Sequence, residues 1–260
     1  GLQIGRTGME PIDSFLDSCK ENDDPFFVWY APFLPHTPHN PPQRILDKYT
    51  SKTDSLPMAK YWAMCEWFDE TCGQLLTSLD ERGLAENTIV IYVTDNGWIN
   101  ELSASRYAPR SKRSPNEGGT RTPIMIKWPG HVTSQMDKET LASSIDLVPT
   151  VLAAVGVETD RNLPGINLLD KSKRESRDAL FGEIFEHDIQ SMDDPAASLR
   201  YRWMIQGDWK LILPSRRMQG EKPELYNLKQ DPHENNDLAA EHPQKVKSMT
   251  DAINAWWDAE

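Results

Sequence analysis

From Glu10 to Cys19 the apolar residues Ile12, Phe15 and Leu16 fall on one helical face, and Glu21-Asn22-Asp23-Asp24-Pro25 ends the run. Phe26-Phe27-Val28-Trp29-Tyr30-Ala31 then runs apolar without interruption, the pattern of a strand covered on both faces. Pro32 to Pro42 holds five prolines in eleven residues, which excludes helix and central strand and predicts a stiff, extended loop. Met58 to Arg82 carries Trp62, Phe68, Cys72 and Leu79 at the 3.6-residue period and stops at Gly83. Thr88 to Val93 is a second unbroken run, β-branched or aromatic throughout. Strand, loop, helix, strand is the order of a βαβ unit, with a parallel pair and a right-handed connection.

Pro123 to Trp128 reads as a third short strand, closed by Pro129-Gly130. Ser143 to Val155 is amphipathic at helical spacing, with Ser144 or Asp146 as its cap and Gly156 as its stop. Lys171 to Arg177 is charged and poorly periodic, and a domain boundary is placed there. Beyond it the pattern becomes one of short strands: Ala179–Phe185, Tyr201–Ile205, Asp208–Leu213 and Glu224–Leu228, with a hairpin at Gly207. Pro243 to Trp257 closes the chain as a helix carrying Val246, Met249 and Ile253 on one side. The fold class is therefore α/β: a mostly parallel sheet flanked by helices over residues 1–174, then a small antiparallel α+β domain over 175–260.

The chain has 260 residues, enough for one large or two modest domains. Its net charge of −12 argues against nucleic acid as a partner. No apolar run reaches the ~20 residues of a membrane span. Cys19, Cys65 and Cys72 lack zinc spacing; Cys65 and Cys72 share a helix face and read as buried thiols rather than a bridge. No signal peptide opens the chain, and Gly1-Leu2-Gln3-Ile4-Gly5 reads as the interior of a longer polypeptide.

Three stretches carry candidate chemistry. Asp95-Asn96-Gly97 ends the Thr88–Val93 strand, where ligand sites of open α/β sheets gather, and it offers hard oxygen donors for calcium or magnesium. The same three residues also make an ordinary turn. His36 and His39 sit in the proline-rich loop, as catalytic or anion-binding groups or as residues that pack or face solvent. The βαβ order would open both loops on one edge of the sheet and so bring His36 to Asp95 and Asn96. Arg106, Arg110, Lys112, Arg113 and Arg121 face a single acid, Glu117, which suits an anionic substrate or a solvated basic loop.

These stretches together resemble the sulfatase family of the alkaline-phosphatase-like superfamily. The matching segments are Pro25-Phe26-Phe27 through Pro35-His36-Thr37-Pro38, Val93-Thr94-Asp95-Asn96-Gly97, and Lys112 through Glu117-Gly118-Gly119-Thr120-Arg121-Thr122-Pro123 with Trp128-Pro129-Gly130. Trp209-Lys210-Leu211 and Glu224-Leu225-Tyr226-Asn227-Leu228-Lys229-Gln230-Asp231-Pro232 match the family's end domain. The resemblance implies a partial alkaline-phosphatase-like sandwich and a sulfuric ester hydrolase acting on a sulfated small molecule or glycan. It implies that Asp95 and Asn96 supply half of a calcium (or magnesium) site. It gives His36 the charge or proton at the leaving oxygen and Lys112 a sulfate oxygen. Trp98, Arg110, His39 and His187 are candidates to line the substrate pocket, and the Glu183 to Asp188 segment to reach its rim. The family's export habit implies a periplasmic or secreted enzyme.

The chain departs from the family in one respect. The formylglycine nucleophile arises from a Cys/Ser-x-Pro-x-Arg motif, and no such motif occurs here, nor does the family's early aspartate pair. The chain is expected to correspond to the C-terminal portion of a sulfatase, inactive without an N-terminal half that carries the formylglycine. A phosphodiesterase or phosphonate hydrolase of the same superfamily, or a non-catalytic anion-binding module, are the alternatives.

Overall fold

The computed structural model describes residues 3–158 and 161–259. The elements run α1 (Glu10–Asn22), α2 (Gln43–Thr50), α3 (Leu56–Glu81), β1 (Val90–Val93), α4 (Glu117–Thr120), β2 (Ile124–Lys127) and α5 (Leu147–Ala154). They continue with α6 (Lys171–Ser176), β3 (Ala179–Phe185), β4 (Leu199–Gln206), β5 (Trp209–Pro214), β6 (Glu224–Asn227) and α7 (Pro243–Trp256). β1 and β2 form a two-stranded sheet, and β3-β4-β5-β6 a four-stranded one in sequence order. Helices and both sheets give the expected α/β class, and no described helix is long and apolar enough to cross a membrane.

The chain divides into two compact units, one of Gly1–Val90, Ile99–Ala108 and Ile126–Thr133, the other of Ile91–Trp98, Pro109–Met125 and Ser134–Glu260. In the first, Ile12 and Leu16 of α1 meet Leu79 of α3 in a core joined by Phe26, Val28 and Tyr30. Burying side chains such as Leu16 contributes about 1.5–3 kcal/mol each. Arg82, at the end of α3, donates Nε to Asp17 at 2.7 Å and so ties α3 to α1. Ser55 caps α3 by accepting from the Met58 amide. The helix α2, between the proline-rich loop and α3, was not evident in the sequence; it buries only Ile45 and pairs Arg44 with Glu70 of α3.

The expected strand at 26–31 is extended but joins no ladder, and none of its backbone groups bonds to another among the described residues. A strand exists as secondary structure only through a hydrogen-bonded neighbour, so the βαβ unit is not formed. Burial alternates instead: Phe26, Val28 and Tyr30 turn to the core, while Phe27 and Trp29 are 74% and 83% exposed. β1 is likewise shorter than Thr88–Val93 and only partly covered, with Val93 exposed.

In the second unit, every pairing of the four-stranded sheet is antiparallel, as expected. Its register sorts the side chains by face. Phe181, Met204, Leu211, Leu213 and Leu225 lie on one face and pack on Met249 and Ile253 of α7. Tyr201, Trp203, Lys210, Ile212, Glu224 and Tyr226 lie on the other. β5 is buried from Lys210 to Leu213 because both faces are covered. The cap of the 143–155 helical segment is Ser143, in a capping box with Asp146, rather than Ser144. Asp146 is fully buried and takes Arg177 through Nη1 at 2.6 Å and Nη2 at 2.7 Å. The three cysteines carry free thiols, and burial pushes the Cys65 and Cys72 thiols up.

Candidate active site

The loop after β1 lies backbone to backbone against α4. The Gly97 amide donates to Gly119 O at 2.9 Å, and a Cβ on Gly97 would stand 2.2 Å from Gly118 O. A Cβ on Gly119 would stand 2.2 Å from Ser111 O. Three backbone segments, 95–98, 111–114 and 117–120, therefore meet at a closeness that only glycine at 97 and 119 permits. Asp95 is exposed, and Asn96 is half-buried with its Nδ2 donating to Gly97 O at 2.9 Å. That bond leaves the Asn96 carboxamide oxygen as an acceptor. Lys112, in the second segment, holds its ammonium 5.9 Å from the centre of the Trp98 ring. The same packing thus gathers Asp95, Asn96, Trp98 and Lys112 into one unit.

Arg110, two residues before Lys112, contacts the C-terminal sheet. Its Nη2 donates to Tyr226 Oη at 2.9 Å, and its guanidinium sits 5.4 Å from that ring. Tyr226 Oη in turn donates to Glu224 at 2.6 Å, and burial with the Glu224 carboxylate pushes its phenol well above the ordinary range. Arg110 and Arg113 both hold left-handed backbone, at φ 58° and 64°.

Behind the basic loop lies a buried ion cluster absent from the sequence expectations. Lys210 of β5, fully buried, donates to Glu117 Oε1 at 2.8 Å and lies 3.2 Å from Glu234 Oε1. Glu234 Oε2 accepts the Glu117 amide at 2.8 Å. The available signal was Trp209-Lys210-Leu211, a lysine inside an otherwise apolar strand.

His36 and His39 lie in the other unit. His36 is exposed, packs on Phe33 with ring centres 4.8 Å apart, and lies 2.8 Å from Thr37 O through Nδ1. A carbonyl only accepts, so Nδ1 carries the proton there and Nε2 is the ring's acceptor nitrogen. His39 is buried beside the Tyr61 ring. Burial first, then the neighbouring His36 and Lys60, hold its pKa below the ordinary histidine value. His187 is exposed, and burial raises the Glu183 carboxyl.

A calcium ion takes six to eight oxygens. Asp95 and Asn96 are suitable donors, but they are two. Among the described residues no group of three or more His, Cys, Asp or Glu side chains gathers to hold a metal. The chain thus fits part of a calcium shell and needs donors beyond this loop to fill it.

Comparison with known proteins identifies the family. The family model "Sulfatase" matches residues 7–157, and that described as "N-sulphoglucosamine sulphohydrolase, C-terminal" matches residues 109–255. A "Sulfatase" of Formosa agariphila is 29% identical over 95% of this chain and 49% of its own length. An N-acetylgalactosamine-6-O-sulfatase of Bacteroides thetaiotaomicron is 26% identical over 93% of this chain and 48% of its own. The crystal structure of Ps i-CgsB in complex with k-i-k-neocarrahexaose superposes with a TM-score of 0.77 at 21% identity, covering 96% of this chain and 54% of that one. The chain spans about half the length of the curated relatives it matches.

Proposed function

The chain belongs to the sulfatase family, and from this we propose that it forms the C-terminal part of a sulfuric ester hydrolase acting on a sulfated carbohydrate. Residues 1–174 would belong to the catalytic domain and 175–260 to a terminal module. The observation that carries the reading is the packing of the Asp95–Trp98 loop against the loop of Lys112 at Gly97 and Gly119. Hydrolysis of a sulfate ester puts negative charge on the bridging oxygen, and fixed cationic and hydrogen-bonding groups lower the barrier.

In this reading the Lys112 ammonium binds a non-bridging sulfate oxygen and orients the group. His36, through Nε2, delivers a proton to the departing alcohol or stabilises its charge. Family resemblance supports this placement of His36, since the βαβ argument does not carry over. Asp95 and Asn96 contribute two ligands to a divalent cation, calcium or magnesium, which when bound supplies a fixed positive charge for the sulfate oxygens. Trp98, Arg110 and His39 border the substrate. The formylglycine nucleophile, the remaining metal ligands and an N-terminal half come from polypeptide outside this sequence. Alone, the chain is inactive. The whole enzyme is periplasmic or secreted.

The test is reconstitution. The chain is mixed or fused with a sulfatase N-terminal half whose Cys/Ser-x-Pro-x-Arg nucleophile has been oxidised, and 4-nitrophenyl sulfate and a phosphate diester are offered. Sulfate hydrolysis that needs both parts and falls at least about a hundredfold in Lys112→Ala supports the reading. Preference for the diester, or turnover unchanged by Lys112→Ala, refutes it.

A further inference from the structure

A polar cavity lies on the face of the C-terminal sheet that turns away from α7. It encloses about 150 Å³, several times the room one water needs, and is lined by Arg113, Asn116, Arg200, Tyr201, Glu221 and Glu224 among others. Two of these residues carry buried donors without an acceptor: Asn116 Nδ2 and Arg200 Nε. Asn116 is only 7% exposed. Its carboxamide oxygen already accepts from Ser114 Oγ at 2.7 Å, which fixes the amide nitrogen as the unmet end. Arg200 Nε has only a long ion pair, 3.5 Å from Glu186. The Arg113 side chain makes no hydrogen bond or ion pair among the described residues, and its backbone holds φ 64°. Buried polar groups are as a rule satisfied, so two unmet donors on one cavity call for a partner with acceptor oxygens.

The acids on the same wall decide which partner. Tyr201 Oη donates to Glu221 at 2.7 Å and Tyr226 Oη to Glu224 at 2.6 Å, so both carboxyl groups act as acceptors on the cavity wall. Burial and Glu221 push the Tyr201 phenol up to about 12, which keeps it a donor at all working pH. The wall thus offers donors, from Arg113, Arg200 and Asn116, and acceptors, from Glu221 and Glu224, and an oxyanion would answer the donors alone. A sugar meets both requirements, because each hydroxyl accepts from a guanidinium or amide and donates to a carboxylate. We propose that this cavity, formed by Arg113, Asn116 and Arg200 opposite Glu221 and Glu224, is a binding subsite for a neutral, hydroxyl-rich sugar unit. The proposal rests on the carbohydrate reading above and assigns a unit other than the one bearing the scissile sulfate.

The experiment is an NMR titration of the whole isotope-labelled chain with N-acetylgalactosamine, and separately with sodium sulfate. It follows the Asn116 side-chain amide and the Arg113 and Arg200 Nε–H resonances. The expected result is a saturable shift of these signals by the sugar and about tenfold weaker binding in Asn116→Leu and in Arg113→Gly. Arg113 is exposed and left-handed, so glycine there preserves the fold and decides the matter if Asn116→Leu fails to fold. A response to sulfate alone, no response to the sugar, or a response untouched by either substitution overturns the proposal. Since no turnover is needed, a chain that binds sugar but cannot be reconstituted into a sulfatase sinks only the functional reading; an active enzyme with a silent cavity sinks only this one.

Discussion

Lys210 and Glu117, 93 positions apart, meet with Nζ and Oε1 separated by 2.8 Å inside the protein. The lysine belongs to the C-terminal sheet and the glutamate opens α4, so this pair ties the sheet to the loop that carries Lys112. Removing one member strands the others. Lys210→Met leaves Glu117 and Glu234 buried beside each other with only the exposed Arg121, 3.7 Å from Glu117 Oε2, as a cation, and is expected to cost about 3–5 kcal/mol. Adding Glu117→Gln and Glu234→Gln restores part of that loss, because glutamine keeps an acceptor and carries no charge. Urea unfolding of the single and triple variants measures both.

Gly97→Ala places a methyl 2.2 Å from Gly118 O, a backbone atom that cannot swing aside. The expected cost is at least about 1–3 kcal/mol, with the Asp95–Trp98 loop pushed off α4. A melting curve reports the first effect, and altered amide shifts at Gly118 and Gly119 the second. An Ala variant as stable as the parent would contradict the close packing.

Asp146 is expected to dominate the stability of its neighbourhood. It serves Arg177 and the Ser143 and Ile166 amides at once, at 2.6 to 2.8 Å. Arg177→Met leaves this carboxylate buried without its cation, at a cost of about 3–5 kcal/mol, whereas Arg174→Met nearby should cost well under half as much. The comparison of their denaturation midpoints is the check.

The buried His39 gives a pH dependence of definite sign. Its folded pKa lies below the ordinary 6.5, so the unfolded chain binds the proton more readily. The stabilisation is complete above about pH 6.5 and is lost as the pH falls from there toward the depressed value. His39→Gln should therefore reduce the difference in stability between about pH 7.5 and about pH 5. An unchanged difference would remove His39 from the account.

Elements whose signal is local were legible in the sequence. α1, α3, the Gly207 hairpin, β6 and α7 follow from period and punctuation alone. Phe26–Ala31 was misread because a strand is a relation between two segments, and an apolar run does not state its partner. α2 was hidden because eight residues bearing one buried side chain, Ile45, give almost no periodic signal beside the preceding prolines. Of the proposed site residues, Asp95, Asn96 and Lys112 stand out in the sequence as motifs. Lys210, Glu234, Asn116 and Arg200 do not: their partners are distant in sequence, and a lysine within a strand reads as solvent-facing until both faces of the sheet are seen to be covered.

The unpaired 26–31 segment has a practical consequence for anyone handling the molecule. Phe26 to Ala31 is six residues of high β-propensity with no charge and no proline, its backbone groups bonded to no other backbone group among the described residues and two large rings exposed. Such a segment is a template for stacking identical copies into cross-β aggregates. Concentration, rather than heat, should thus limit the shelf life of the purified chain. Trp29→Lys, which places a charge on the exposed side and leaves Phe26, Val28 and Tyr30 in the core, should delay thioflavin-positive precipitation without lowering the melting temperature.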